Sequence, residues 1–273
     1  MKSRLPLAEI SSSLKEHRQL ILKGAPGSLR AFIAAFLVEA EKRIVWISAR
    51  SSRRDEALSD LSQILPNHQV GVLLTAHDKG DITPFETRIF RARALQSWTQ
   101  GYPYLLITDP ASFWDKILPS PENLDRIRMQ LTLKKPLGRD FAVKRLAQAG
   151  YVRSDLVANR GEFAVRGGIL DIFPYTHDHP LRLEFWGEIL ESLRAFDPVT
   201  QRTIAHLQNE TLFLTDVVGG NEVNLATYLQ PDDILFIEEA EEIVQLADHA
   251  GYADYWNLLC KNCYALFWGT TRQ

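Results

Sequence analysis

The sequence predicts an α/β protein in which a parallel-sheet domain is interrupted by an inserted α+β domain with an antiparallel sheet. Three observations support this class. Apolar strands alternate with helical segments over residues 1–124. Short strands with alternating apolar and polar residues, separated by glycine turns, fill residues 125–212. The alternation of apolar strands with helices returns over 213–273. The chain has 273 residues, which fits two domains, because about 150 residues per domain is usual.

The first part has the β-α-β-α order that produces a parallel sheet with helices on its faces. Its strands are continuous apolar runs, as is typical of strands buried on both sides. Helices are predicted at 7–17, 28–42, 52–65 and 84–100, and strands at 19–24, 43–49 and 69–75, with a strand and turn at 104–114.

The texture changes near Pro119–Pro121. Period-2 alternation and glycine turns beyond this point predict an antiparallel sheet with one buried face. The predicted elements are an exposed strand at 129–136, a helix at 139–151 closed by Gly150, and four strands at 161–166, 168–174, 181–186 and 190–197.

The last part, 213–273, begins a new strand–helix unit in "DDILFIEEAEEIVQLADHAG" and ends soon after the apolar stretch "CYALFWG". We therefore expect this α/β layer to be incomplete or to continue in a longer parent protein.

Charge and hydropathy restrict the class of partner. The net charge is −3, whereas nonspecific DNA-binding domains usually carry a basic surplus, so a protein partner is favoured. No apolar run approaches the roughly 18 residues that a membrane span needs. The first residues contain no apolar signal-peptide core, and we expect a cytoplasmic protein without membrane contact.

Two cysteines, Cys260 and Cys263, have C-x-x-C spacing. A structural zinc needs about four ligands, and His249 is the only histidine in the last fifty residues. A redox pair usually follows a strand in a β-α-β unit. The pattern favours two ordinary half-buried thiols over metal or redox chemistry, and no metal site is predicted.

The segment "GAPGSLRA", residues 24–31, resembles a phosphate-binding loop but lacks its working parts. It keeps Gly24 and Gly27. Leu29 replaces the glycine that lets the backbone approach a phosphate, Arg30 replaces the lysine, and Ala31 has no hydroxyl for Mg²⁺. We predict that this loop does not bind a nucleotide. A weak anion contact near Gly27 and Arg30 is the alternative.

An acidic pair, Glu238 and Glu239, ends the apolar strand of the last part. P-loop hydrolases hold Mg²⁺ with an acidic residue at such a position. Without a phosphate cradle the pair has no substrate to act on. The sequence therefore predicts no cofactor and no ATPase activity.

Recognition chemistry is concentrated in the inserted part. Side chains alternate faces along a strand, so Arg182, Glu184 and Trp186 share one face, and Arg166 lies on the corresponding face of an earlier strand. An exposed tryptophan beside arginines is the mixture enriched in interface hot spots. The alternative is a solvated sheet face with internal Arg–Glu pairs and one incidental tryptophan.

Residues 149–174, followed by 179–203, resemble the second domain of the bacterial transcription-repair coupling factor family (Mfd), a module that UvrB also contains. Weaker similarity extends back to the damaged loop. UvrB keeps an intact P-loop, whereas the coupling factors have a damaged one. The resemblance is therefore to the amino-terminal, UvrB-like region of the coupling factors, and it implies a degenerate RecA/P-loop-like domain with a UvrB-domain-2-like insert.

This resemblance implies a non-catalytic module that binds UvrA and recruits repair to stalled transcription complexes. The family's UvrA contacts fall on Arg166, Arg182 and Trp186, the last of which is often phenylalanine in the family. RNA polymerase and DNA would be contacted only by other domains of a full-length parent.

The alternative is a UvrB-like DNA-binding module or an ATP-dependent helicase fragment. UvrB holds DNA partly through an aromatic hairpin in its α/β domain, and no such pattern is evident between residues 75 and 103.

Overall fold

The computed structural model of the chain describes residues 7–23, 27–66, 69–74, 83–99, 104–214 and 222–269. These residues form two units. The first comprises Met1–Phe90, Ser97–Leu118 and Glu222–Gln273, and the second comprises Arg91–Gln96 and Pro119–Asn221.

The first unit contains a six-stranded sheet in which every strand pair is parallel. Two of its strands come from the last part of the chain, and these lie among the strands of the first part. In chain order the strands are β1 (Gln19–Lys23), β2 (Ile44–Ser48), β3 (Val70–Leu73), β4 (Leu105–Thr108), β15 (Ile234–Glu238) and β16 (Tyr264–Gly269). Their order across the sheet is β1-β16-β15-β2-β4-β3.

Helices precede, connect or follow these strands, in keeping with the predicted β-α-β order. They are α1 (Leu7–His17), α2 (Leu29–Glu39), α3 (Ser51–Ile64), α4 (Pro84–Thr99), α5 (Pro110–Trp114), α8 (Ala240–His249) and α9 (Ala253–Asn262). Each of them is too short or too polar to cross a bilayer, as are the other helices in the described ranges.

The core of the first unit lies where β2 and β15 pair, and every residue of both strands is buried. Trp46 of β2 and Phe236 of β15 are cross-strand partners, and their ring centroids are 4.3 Å apart. Burial on both faces explains why these strands read as continuous apolar runs in the sequence.

The second unit contains a separate six-stranded sheet, not the four strands predicted. The four predicted strands are present, and a short strand is added at each edge. Its strands are β7 (Val152–Arg153), β8 (Glu162–Arg166), β9 (Ile169–Ile172), β10 (Leu181–Trp186), β11 (Ile189–Phe196) and β12 (Thr203–His206), in the order β12-β11-β10-β9-β8-β7. Only the β7–β8 pair is parallel.

The smaller elements complete the second unit. The strand β6 (Arg128–Thr132) pairs antiparallel with β13 (Asn209–Phe213). The helix α6 (Leu124–Ile127) precedes β6, and α7 (Arg139–Gln148) ends just before Gly150, whose φ is +76°. A left-handed glycine at this position is the usual helix terminator, as the sequence indicates. The remaining strands of the described ranges are a two-residue pair, β5 (Leu118–Pro119) with β14 (Glu222–Val223), and all of it except Pro119 belongs to the first unit.

The mixed α/β class with a parallel sheet and a second, mostly antiparallel sheet is confirmed. The prediction concerning a DNA-binding hairpin falls partly on residues 75–82 and 100–103, which lie outside the described residues.

Candidate protein-interaction surface

Arg166, Arg182 and Trp186 lie on one face of the second unit's six-stranded sheet, here called the arginine face. In the strand ladder, Asp171 of β9 lies between Ala164 of β8 and Arg182 of β10. Arg166 is two residues beyond Ala164, and Trp186 is four residues beyond Arg182, so side-chain alternation puts them on the same face. Trp186 is about 13 Å along β10 from Arg182, at roughly 3.3 Å per residue.

Two glycine turns place Arg166 and Trp186 at the ends of their strands. Gly167 and Gly187 follow them directly, and each has a φ of +58°. Each begins the two-residue connection of a hairpin. A left-handed residue first in such a connection is the pattern of a type II′ turn, which suits the twist of paired strands.

Both arginines bind one buried carboxylate, that of Asp171, which is 1% exposed. Arg182 donates from Nε to Oδ1 over 2.7 Å and from Nη2 to Oδ2 over 2.8 Å. Arg166 donates from Nη2 to the same Oδ2 over 2.7 Å. Arg182 also donates from Nη2 to Oε1 of Gln201 over 2.7 Å. The two arginines are therefore parts of a single network.

The exposed fractions of the three predicted residues differ widely. The Arg182 side chain is 14% exposed, that of Arg166 is 50% exposed, and Trp186 is 80% exposed. The guanidinium of Arg182 also lies 4.4 Å from the ring centroid of buried Phe196. Its hydrogen bond with Asp171 raises the pKa of Arg182. Arg182 is thus a fixed cation, and Trp186 is an apolar side chain open to solvent.

Next to this network, Arg194 of β11 pairs with Glu184 of β10. The alternative to a binding surface was a face with internal Arg–Glu pairs, and this pair is one of them. That alternative treats Trp186 as an incidental tryptophan, whereas a binding surface gives a reason for its exposure, because burial of a tryptophan is strongly favourable and this one remains exposed.

The arginine face also contains a residue that sequence reasoning missed, Asp171. It lies between Leu170 and Ile172 in an apolar strand, where a buried carboxylate requires charged or hydrogen-bonding partners. A carboxylate in an apolar strand therefore indicated that Asp171 has such a partner. Its partner Arg182 could be named only once the register of β9 against β10 was known.

In the first unit, Arg30 lies in the first turn of α2 and is 3% exposed. It forms a buried ion pair with Glu238 and a second pair, 2.9 Å long, with Glu56. Trp46 donates from Nε1 to Oε2 of Glu238 over 3.3 Å. The guanidinium expected near a residual anion contact is therefore engaged by the protein's own carboxylates. Gly27 has a φ of +56°.

Two other residues of the predicted loop and acidic pair are Gly24 and Glu239. Gly24 lies outside the described residues. Glu239 follows β15 in a left-handed conformation, φ +59°, with Arg50 3.0 Å from its carboxylate. Burial raises the pKa of Glu239. Within the described ranges, no group of three or more His, Cys, Asp or Glu side chains is arranged to hold a metal ion.

Residues 129–215 match the model of the UvrB interaction domain. This stretch contains the whole arginine face.

Two groups of relatives share longer similarity with the chain. The transcription-repair-coupling factor of Myxococcus xanthus is 30% identical over 240 residues, 83% of this chain and 19% of that protein. The coupling factor of Mycobacterium tuberculosis is 38% identical over 198 residues, 69% of this chain and 16% of that protein. UvrABC system protein B of Micrococcus luteus is 23% identical over 237 residues, 79% of this chain and 33% of that protein.

The chain is thus a relative of the transcription-repair-coupling factors and of UvrB, and the resemblance drawn from the sequence is confirmed. It spans less than a fifth of the length of these coupling factors, 19% and 16%, and 33% of the length of this UvrB.

Proposed function

We propose that this chain is a non-catalytic protein-interaction module of transcription-coupled nucleotide excision repair, and that it binds UvrA through the arginine face. In this proposal the chain acts in the cytoplasm and recruits the repair machinery to stalled transcription complexes. RNA polymerase and DNA are contacted through other domains of a full-length parent.

One observation carries the proposal. Trp186 is 80% exposed on the same sheet face as Arg166 and Arg182, inside the stretch that matches the UvrB interaction domain. An exposed tryptophan that shares a face with ordered arginines is the residue mixture enriched in binding hot spots.

The proposed mechanism is docking without chemistry. Trp186 is the apolar anchor, and a central anchor of this kind is worth about 2 kcal/mol or more when it is truncated. The arginine forks match the planar geometry of carboxylates on the partner. Charges at the rim of such a surface mainly change the association rate and its salt dependence.

The first unit supports a non-catalytic role. We propose that it is a degenerate RecA/P-loop-like domain, built from residues 1–124 and 213–273 around an insert at 125–212. Its strand–turn–helix at β1 and α2 and the acidic end of β15 support this relationship. Arg30, in the lysine position, pairs with Glu238 and Glu56, which argues against a role in phosphate binding.

The direct test is a titration of immobilised UvrA with the wild-type chain, Arg182→Ala and Arg153→Ala. Arg153 is exposed on β7 and pairs with Phe163, so its side chain lies on the opposite face of the sheet. We expect Arg182→Ala to weaken binding at least about tenfold, the effect of losing one anchor. Arg153→Ala should bind like the wild type. Equal affinity of Arg182→Ala and the wild type would contradict the proposal.

The two alternatives are distinguished by other ligands. Micromolar, Mg²⁺-dependent nucleotide binding would support an ATPase or helicase fragment. Binding to plain duplex DNA that falls steeply with salt would support a DNA-binding module. We expect neither.

A further inference from the structure

We infer that Asp171 is a positioning residue, which holds Arg166 and Arg182 in one arrangement that receives a carboxylate of the partner. The inference rests on the proposed function, because it specifies how the arginine face recognises UvrA.

The geometry makes Asp171 the common support of both arginines. Its two carboxylate oxygens accept three hydrogen bonds of 2.7, 2.7 and 2.8 Å, two from Arg182 and one from Arg166. Asp171 is 1% exposed, and a buried carboxylate depends on such hydrogen bonds to charged partners.

Arg182 is also restrained on its other sides. Its guanidinium lies over the ring of Phe196 and donates to Gln201. A long side chain that is ordered before binding loses less conformational entropy when the complex forms. Arg166 is half exposed and is bound to Asp171 through Nη2. A guanidinium has five N–H donors, so Arg166 keeps donors that face solvent.

The charge of the network indicates the ligand. Two guanidinium groups and one carboxylate leave a single net positive charge, and the neighbouring pair of Arg194 with Glu184 is neutral. A single net positive charge on guanidinium groups, which donate paired N–H bonds, matches one carboxylate. A nucleic acid needs several cations to neutralise its phosphates.

Asp171 could instead compete with the partner's carboxylate for the arginines. Burial decides between these roles. Because Asp171 is 1% exposed and its carboxylate lies against both guanidinium groups, its removal does not clear the outer surface; it leaves two adjacent cations without the anion that holds them together. Loss of Asp171 should therefore weaken binding.

The test is a double-mutant cycle, read out as the affinity for UvrA. Asp171→Asn keeps the shape of the side chain and removes its charge. We expect about a tenfold loss of affinity in the wild-type background and no further loss in Arg166→Ala/Arg182→Ala. A role in the fold alone would lower affinity in both backgrounds, and that result would overturn the inference. Unchanged or tighter binding by Asp171→Asn would do the same.

A matched control is Asp233→Asn in the first unit. Asp233 is 2% exposed, and Arg43 donates to it from Nε and Nη2, both over 2.8 Å. This variant disrupts a buried Asp–Arg pair that belongs to the other unit. It should lose stability but bind UvrA normally.

A second measurement is independent of UvrA. NMR relaxation of Nε–H should show Arg182 ordered in the wild type and mobile in Asp171→Asn, and equal order in the two would overturn the inference. Duplex DNA is the probe for the ligand class: steep salt-dependent DNA binding would overturn the carboxylate assignment. If the wild-type chain does not bind UvrA, the proposed function is wrong. If the wild-type chain binds UvrA and Asp171→Asn binds it equally well, the proposed function stands and the positioning role of Asp171 is wrong.

Discussion

The guanidinium of Arg30 and the carboxylate of Glu238 form an ion pair inside the first unit, with each side chain 3% exposed. The two residues are 208 positions apart in the sequence. The pair connects the start of α2 to the carboxyl end of β15. In the proposed P-loop-like relationship these positions correspond to the nucleotide and metal sites.

Arg30→Met should destabilise the protein by about 3–5 kcal/mol, because it leaves a buried carboxylate without its counter-charge. Urea denaturation measures the loss. Arg30→Met/Glu238→Gln should recover much of it. The control is Arg53→Met, whose pair with Glu56 is exposed and should contribute less than about 1 kcal/mol. An unchanged midpoint for Arg30→Met would show that the pair is not needed for stability.

Trp186→Ala should weaken UvrA binding at least about tenfold and leave the melting temperature unchanged, since the side chain is 80% exposed. Val199→Ala is the matched control, because Val199 is an apolar residue of the same unit that is 87% exposed. Surface plasmon resonance with immobilised UvrA compares the two. Equal losses for both variants would argue against a specific role of Trp186.

Gly161→Ala should destabilise the protein more than Gly187→Ala. Both glycines have positive φ, +82° and +58°, a conformation that costs other residues roughly 1–2 kcal/mol. A Cβ at Gly161 would also lie 2.7 Å from Cε1 of Tyr175, whereas at Gly187 it meets no described atom within 4 Å. Thermal melting of the two variants should show the difference. Equal melting temperatures would mean that Tyr175 moves aside without cost.

Glu162 should contribute stability that is lost in acid. Burial opposes its ionisation, but its carboxylate accepts N–H bonds from Ala158 and Asn159, over 2.8 and 2.9 Å, and these lower the pKa of Glu162. The contribution is fully present above the unfolded-state pKa of about 4.3. It is lost as the pH falls through the lower folded-state pKa.

An NMR titration should give a Glu162 pKa below the usual glutamate range. Glu162→Gln should show a shallower decline of stability below about pH 4.3. A Glu162 pKa at or above the usual value would contradict this account.

Cys260 and Cys263 should be unreactive in the folded protein. Both are free and buried, and burial raises the pKa of Cys260 to about 12 and that of Cys263 to about 11. The thiolate is the nucleophile, so a thiol reagent at pH 8 should label both only in urea. Rapid labelling of the native chain would revive a redox role.

Local patterns predicted the elements that bury most apolar surface. The fully buried strands β2 and β15 are recognisable from their apolar runs alone, and the four central strands of the second sheet are recognisable from alternation and glycine turns. The edge strands β7 and β12 were missed because they are short and largely exposed. The helix α9 was also not predicted.

The pairings within the two charge networks required the structure. The sequence indicated that Arg166 and Arg182 share a face, yet only the strand register shows that Asp171 lies opposite Arg182. Similarly, Arg30 reads locally as a residual anion contact, whereas its actual partner comes from a strand near the other end of the chain. Local pattern carries no information about such distant partners.

The strand order of the first sheet has a consequence for how the protein is made. Among the described strands, β1 pairs with β16 and β2 pairs on one side with β15. Residues 234–269 must therefore be synthesised before this sheet can be completed. The six-stranded sheet of the second unit and its β6–β13 strand pair come from one continuous stretch, 128–213. They can therefore form earlier. Contacts between distant parts of a chain form slowly. During synthesis we therefore expect the amino-terminal strands to keep apolar surface exposed after the sheet of the second unit has folded.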